Sequence, residues 1–150
     1  MDRVVPGRVL VVDDQQDICW VLAKLLTERN HLVKTAQTGA AALSLTATLE
    51  FDVAIVDYRL PDRDGLTLIV ELTRRLPGVL SILMSSYGTA ALRDNVHHGR
   101  VFAFLDKPFS NMTFVRIAED AIVSRRQGVG SRARETAPGS ALPIEKKPFG

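Results

Sequence analysis

The sequence of 150 residues lacks a second cysteine, a long apolar run and the apolar core of a secretory signal. The single cysteine, Cys19, can form neither an internal disulfide bond nor a thiolate cluster for zinc. The longest apolar runs have the length of strands and fall short of the roughly 18 residues that a membrane span requires. These absences exclude a disulfide-stabilised scaffold, and we expect a cytoplasmic protein without membrane contacts.

The rest of the composition is that of a globular protein, with 46% hydrophobic and 24% charged residues. At about 150 residues per domain, the length predicts one domain. The net charge of +2 conceals an asymmetry, because residues 124–150 carry +4 and the remaining residues carry −2. The basic character therefore comes from the tail and gives little support to a nucleic-acid-binding fold.

Apolar runs and segments of helical periodicity alternate five times along the chain. The predicted strands lie at 8–12, 31–36, 51–56, 79–84 and 101–105. The predicted helices lie at 15–29, 38–49, 68–76 and 89–99, with a last helix after Ser110 or Asn111. Because most strands are almost entirely apolar, both faces of the sheet must be covered. This pattern predicts an α/β fold with a doubly wound, five-stranded parallel sheet.

The domain boundaries follow from the same pattern. We expect an N-terminal extension at 1–7, one folded domain at 8–126, and a flexible tail or linker at 127–150. Apolar residues at helical spacing predict the buried face of the first helix. We expect Cys19 to pack beside this face and Trp20 to lie outside it. That face consists of Ile18, Val21, Leu22, Leu25 and Leu26.

Reactive side chains follow four of the five predicted strands. The carboxyl ends of parallel strands meet at one edge of a sheet, where ligands bind in this class of fold, so we expect these side chains to converge. They are Asp13 and Asp14 after the first strand, Asp57 after the third, Ser85 and Ser86 after the fourth, and Lys107 after the fifth.

Three carboxylates at one edge are costly to keep ionised together. At an effective dielectric constant of about 20, two unit charges about 4 Å apart interact by roughly 4 kcal/mol, so one pKa rises or a cation binds. Oxygen ligands favour Mg²⁺ over zinc. With Mg²⁺ on one phosphoryl oxygen, one aspartate remains as the nucleophile, while Lys107 and a serine hydroxyl can hold the other oxygens. The residues therefore predict an aspartyl-phosphate site.

Five motifs resemble those of the response-regulator receiver domain of two-component signalling. They are VVDD at 11–14, IVD at 55–57, PDRDG at 61–65, MSS at 84–86 and FLDKPF at 104–109. Each is weak alone, but together, in this order and at strand ends, they are specific. The resemblance covers about residues 8–125 and implies a flavodoxin-like receiver fold with the strand order 2-1-3-4-5.

The resemblance implies roles for the matching residues. Asp57 accepts a phosphoryl group from a phosphohistidine of a sensor histidine kinase or a histidine phosphotransfer protein. Asp14 binds Mg²⁺ directly, Asp13 binds it mainly through water, and the backbone carbonyl of Arg59 supplies a further ligand. Lys107 pairs with Asp57 or with its phosphate.

Further residues match the parts of the family that respond to phosphorylation. Ser85 is the implied switch hydroxyl, chosen over Ser86 by its spacing, and Phe104 matches the aromatic residue that rotates with it. Arg59 and Tyr87 lie where relatives vary the lifetime of the phosphoryl group. Because both side chains are bulky, we expect slow self-dephosphorylation. The peptide bond before Pro108 is expected to be cis.

The implied function is signalling by a domain that catalyses only its own phosphorylation and dephosphorylation. Its output surface, formed by the predicted helix at 89–99, the fifth strand and the last helix, would contact a downstream effector protein. Homodimerisation on phosphorylation is left open. After Arg126 only 24 residues remain, too few for an output domain. A stand-alone receiver and an N-terminal fragment of a longer regulator, such as a transcription factor, therefore both remain alternatives.

Two other functions belong to similar sheets. A Mg²⁺-dependent phosphatase of the haloacid-dehalogenase type places a second aspartate two residues after its nucleophile, where this chain has Arg59. A flavin-binding module needs a loop of small residues after the first strand, where Asp13 and Asp14 would repel a flavin phosphate. Purely structural interpretations also exist: the two aspartates could cap the first helix, and His97 and His98 could simply lie at a solvated helix end.

Overall fold

The computed structural model describes residues 5–87 and 101–128. Its sheet consists of five parallel strands in the order β2-β1-β3-β4-β5, which confirms the predicted fold class and strand order. The strands are β1 (Arg8–Val12), β2 (Leu32–Ala36), β3 (Val53–Asp57), β4 (Leu80–Ser85) and β5 (Ala103–Asp106). The register places Asp57 beside Met84 and Ser85 beside Asp106, so the carboxyl ends of β3, β4 and β5 lie side by side.

Four helices lie within the described residues: α1 (Gln16–Thr27), α2 (Gly39–Leu45), α3 (Gly65–Arg75) and α4 (Asn111–Gln127). Short polar side chains begin three of them by accepting a backbone N–H bond, as N-caps do. These caps are Thr38, Asp64 and Ser110. The predicted helix at 89–99, including His97 and His98, and the tail beyond residue 128 lie outside the described residues.

The core has two layers, one on each face of the sheet. Val9 and Val11 of β1 face α1 and α4, whereas Leu10 and Val12 face α2 and α3. The alternation follows from the two-residue period of a strand. Every residue of β3 is buried, which fits a central strand covered on both faces.

The predicted buried face of α1 is wrong at one position. Val21 is 39% exposed, whereas Cys19 is 3% exposed and belongs to the core with Leu22 and Leu26. The residues of α1 that face the sheet are spaced three and four apart, at Cys19, Leu22 and Leu26. Val21 therefore lies at the margin of this contact. Trp20, off this face as predicted, is 65% exposed.

The second helix is shorter than predicted and ends at Leu45 rather than near residue 49. The N–H groups of Thr46 and Ala47 bond three residues back, to Leu43 and Ser44, and the Thr46 hydroxyl also donates to the Leu43 carbonyl. These bonds tighten the backbone into turns. Within the described residues, no helix is both long and apolar enough to cross a bilayer.

Candidate functional site

The structure brings the predicted reactive residues together at the carboxyl edge of the sheet. One oxygen from each of Asp13, Asp14 and Asp57 lies within 4.8 Å of the others. Asp13 is fully buried and Asp57 is nearly so, whereas Asp14 is exposed. The three carboxylates therefore form a cluster with one solvent-facing member.

Lys107 is the cation of this cluster. Its Nζ lies 2.7 Å from Oδ2 of Asp13 and 3.0 Å from Oδ1 of Asp57. The second oxygen of Asp13 accepts a hydrogen bond of 3.0 Å from the backbone N–H of Gln15. Both oxygens of Asp13 are thus engaged within the protein, and the contact between Asp13 and Lys107 is one that sequence reasoning missed.

The pKa values of the cluster reflect this balance of burial and charge. Burial raises the pKa of Asp57, the hydrogen bond from Lys107 opposes that rise, and the neighbouring Asp13 adds to it; the net shift is upward. For Lys107, burial lowers the pKa, but the hydrogen bonds to Asp13 and Asp57 outweigh it, so its pKa is raised. The ammonium stays charged, and the negative cluster is only partly neutralised.

The cluster opens into a cavity of about 260 Å³. Two of its lining residues, Gln15 and Tyr58, were not among the predicted site residues, because neither is reactive nor part of a recognisable motif. Asp13 is fully buried and does not line the cavity. The lining consists of Asp14, Gln15, Asp57, Tyr58, Arg59, Ser85, Ser86, Tyr87 and Lys107.

The two serines at the end of β4 differ in their surroundings. Ser85 is buried, and its hydroxyl accepts a hydrogen bond of 3.1 Å from the backbone N–H of Tyr87. Ser86 is exposed. Phe104, on the neighbouring strand, is half-buried and packs against the core layer that contains Leu83. The peptide bond between Lys107 and Pro108 is cis, as the resemblance implied.

Arg59 and Tyr87 meet at the cavity. The guanidinium carbon of Arg59 lies 4.5 Å from the centre of the Tyr87 ring, a cation–π contact. Tyr87 is otherwise highly exposed. The sequence placed these two residues near the site separately; it did not show that their side chains touch.

The loop after β3 is fixed by the PDRDG motif. Asp62 accepts hydrogen bonds from the N–H groups of Gly39 and Ala40, and Asp64 caps α3. A Cβ atom on Gly65 would lie 2.4 Å from the carbonyl oxygen of Asp57, so only glycine allows α3 to start this close to the strand end. The motif therefore holds the start of α3 against the end of β3.

The donor set suits a hard divalent cation. Among the described residues it is the one carboxylate, histidine or cysteine cluster that could hold a metal ion, and it contains oxygen donors alone. With three carboxylates and one lysine, a further positive charge would reduce the repulsion within the cluster.

Comparison with known proteins agrees with this geometry. A family model described as the response regulator receiver domain matches residues 9–119. The DNA-binding transcriptional regulator NtrC of Escherichia coli (strain K12) is 33% identical over 116 residues, covering 77% of this chain and 25% of NtrC. The transcriptional regulatory protein GlrR of the same strain is 28% identical over 130 residues, covering 87% of this chain and 29% of GlrR. The chain thus spans less than a third of these relatives.

Solved structures show the same fold. A CheY-like response regulator receiver domain protein from Methanospirillum hungatei JF-1 superposes with a TM-score of 0.76 at 21% identity, covering 83% of this chain and 99% of that one. The beryllofluoride-activated NtrC4 receiver domain dimer gives a TM-score of 0.70 at 29% identity, covering 79% of this chain and 98% of that one.

Proposed function

This chain belongs to the response regulator receiver domain family, and from that membership we propose that Asp57 accepts a phosphoryl group from a phosphohistidine. The observation that carries the proposal is the position of Asp57: at the end of a central buried strand, at the wall of the cavity, and 3.0 Å from the Lys107 ammonium. A sensor histidine kinase or a histidine phosphotransfer protein would be the donor.

The transfer is a displacement at phosphorus. An oxygen of the Asp57 carboxylate attacks, the new P–O bond forms as the P–N bond of the donor breaks, and the electron pair of that bond stays with the imidazole. Lys107 is placed to hold a phosphoryl oxygen, because its ammonium already contacts Asp57. In this sense the domain catalyses its own phosphorylation and, with water as the nucleophile, its own dephosphorylation.

The proposed metal is Mg²⁺. Asp14 and Asp57 offer carboxylate oxygens at the cavity, and the backbone carbonyl of Arg59 is the further proposed ligand. Asp13 would act through water, which is supported by the engagement of both its oxygens by Lys107 and Gln15. Bound Mg²⁺ would neutralise charge that develops on the phosphoryl oxygens.

The proposed switch begins at Ser85. Ser85 is buried and lines the same cavity as Asp57. Its hydroxyl would donate a hydrogen bond to the phosphoryl group. Phe104 would follow this movement and alter a surface that includes β5 and α4, where an effector protein would bind.

The chain is proposed to act as the receiver of a longer regulator. Support comes from NtrC and GlrR, of which it spans 25% and 29%. On this proposal residues 8–126 form the receiver and residues 127–150 lead towards an effector. We also propose dimerisation on activation, which is supported by the dimeric state of the activated NtrC4 receiver. The proposed compartment is the cytoplasm, where a kinase has access to ATP.

The test is phosphorylation with acetyl phosphate in the presence of Mg²⁺, followed by intact mass spectrometry. The native chain should gain one phosphoryl group, in an adduct that is stable to acid and labile to base. Asp57→Asn should gain none, and chelation of Mg²⁺ should abolish the gain. The matched control is Asp106→Asn, an exposed carboxylate next to Lys107, which should behave as the native chain. An equal gain in Asp57→Asn would overturn the proposal.

A further inference from the structure

A second polar cluster lies at the opposite edge of the sheet, where the strands begin. Glu119 of α4 accepts a hydrogen bond of 2.8 Å from Arg29 and contacts the Nε2 of His31 at 2.9 Å. The Nδ1 of His31 accepts a hydrogen bond of 2.9 Å from the backbone N–H of Gly7. Since Nδ1 is the acceptor, Nε2 carries the proton and donates to Glu119. Glu119 thus contacts the segment that precedes β2 directly and is linked through His31 to the segment that precedes β1.

The last turn of α4 has its own attachment. Arg126 donates a hydrogen bond of 2.6 Å to the backbone carbonyl of Pro6, and the same nitrogen lies 3.4 Å from Oδ2 of Asp52. Asp52 is buried, directly before β3, and also accepts a hydrogen bond of 2.8 Å from the N–H of Arg8. We call the whole cluster the exit clamp: Pro6, Gly7, Arg8, Arg29, His31, Asp52, Glu119 and Arg126.

The apolar contacts of α4 become fewer towards its C-terminal end, where Arg126 of the exit clamp lies. The fully buried apolar residues of the helix end at Ile122, which packs so closely on Gly7 that a Cβ there would lie 2.8 Å from it. Beyond Ile122 the helix offers one partly buried apolar residue, Val123, before it ends at Gly128 in the left-handed region with φ of 74°. Apolar burial alone therefore provides little to hold the last turn.

The exit clamp shares no residue with the cavity at the other edge. Asp52 directly precedes β3 and Asp57 is its last residue, and a separation of five residues corresponds to about 16 Å. We infer that the exit clamp is a positioning device: it fastens the C-terminal half of α4 to the edge of the sheet where the strands begin, and so sets the position of the end of this helix.

Hydrogen–deuterium exchange of the whole chain tests this inference. Arg126→Ala should speed amide exchange at residues 119–127 by about tenfold, because loss of the two contacts allows local opening. Glu119→Gln, a change of nearly equal volume, should have a similar effect. Arg116→Ala is the matched control on the same helix, since Arg116 is exposed and lies outside the exit clamp; it should exchange as the native chain does.

Amides of β1 show whether a variant opens locally or unfolds as a whole. Their exchange should stay unchanged in Arg126→Ala, whose side chain is 41% exposed. Exchange at 119–127 equal to that of Arg116→Ala in both clamp variants would overturn the inference. Acceleration in β1 of Arg126→Ala equal to that at 119–127 would overturn it as well. Acetyl phosphate labelling of the same variants should match the native chain. Failure of labelling in the native chain would count against the proposed function and leave the exchange result for the exit clamp valid.

Discussion

The ammonium of Lys107 is closer to Asp13, at 2.7 Å, than to Asp57, at 3.0 Å. A single, partly buried cation therefore contacts two carboxylates, and one of them is the proposed phosphoacceptor. The expected partner of Lys107 was Asp57 or its phosphate. The additional contact means that Lys107 stabilises the cluster before any phosphoryl group arrives.

Removal of this cation should destabilise the protein. Lys107→Ala leaves Asp13 and Asp57 facing each other without a charge partner, and we expect a loss of about 3 kcal/mol in the free energy of unfolding. Urea unfolding in the presence of a chelator measures it. Lys24→Ala, which removes an exposed ion pair with Glu28, is the control and should cost less than about 1 kcal/mol. Equal losses would show that the contacts of Lys107 with Asp13 and Asp57 stabilise the protein no more than an exposed ion pair does.

Arg59 and Tyr87 should set the lifetime of the phosphoryl group together. Their side chains are in contact at the cavity and would hinder attacking water, so Arg59→Ala with Tyr87→Ala should lose phosphate faster than the native chain. Because the two side chains act as one cover, each single variant should show most of the effect of the double variant. The decay of phosphorylated protein after donor removal measures this.

Tyr87→Phe is the control for that experiment, since it keeps the ring beneath the guanidinium. Its decay should match that of the native chain. Equal or slower decay in the double alanine variant would contradict the expectation of slow self-dephosphorylation.

Gly65 should not tolerate a methyl group. The Cβ of Gly65→Ala would meet the backbone oxygen of Asp57 at 2.4 Å, which forces the strand end and α3 apart and should cost about 1–3 kcal/mol. Gly78→Ala is the control, because the nearest atom there, at 2.8 Å, belongs to the end of the flexible Arg125 side chain, which can move. Thermal unfolding should rank Gly65→Ala as clearly less stable; the reverse order would show that the loop adapts.

Glu119 should make stability depend on pH. Burial would raise its pKa, but hydrogen bonds from Arg29 and His31 outweigh burial and lower the pKa below the usual value. A carboxyl with a lowered pKa in the folded state contributes stability above its unfolded pKa and loses it as the pH falls through the folded pKa.

The native chain should therefore exceed Glu119→Gln in unfolding free energy by about 2 kcal/mol at neutral pH, the order expected for hydrogen bonds to a charged group. The difference should shrink as the pH falls through and below the ordinary glutamate range, near pH 4. Urea titrations at several pH values measure it. A difference that stays constant across the acidic range would contradict the role assigned to ionised Glu119.

The fold could be predicted because its signals are local. Apolar runs of strand length, such as 8–12, and caps such as Ser110 are encoded within a few residues, and parallel topology then brings the strand ends together. Asp13, Asp57, Ser85 and Lys107 were placed correctly at one edge for that reason. All five predicted strands are present among the described residues.

What could not be predicted depends on distances between elements. Whether Lys107 contacts Asp13 or Asp57 depends on how β5 is set against β1 and β3, and a pattern along the chain does not record this. The exposure of Val21 depends on how α1 lies across the sheet. The exit clamp joins residues up to 120 positions apart, and none of its members forms a recognisable motif.

The most direct measurement of the central claim is the position of the ester. The chain is phosphorylated with acetyl phosphate and Mg²⁺, reduced with borohydride, which converts an aspartyl phosphate to homoserine, and digested for peptide mass spectrometry. The account predicts homoserine at position 57, with unmodified aspartate at positions 13 and 14. Homoserine at another aspartate, with Asp57 unchanged, would contradict it.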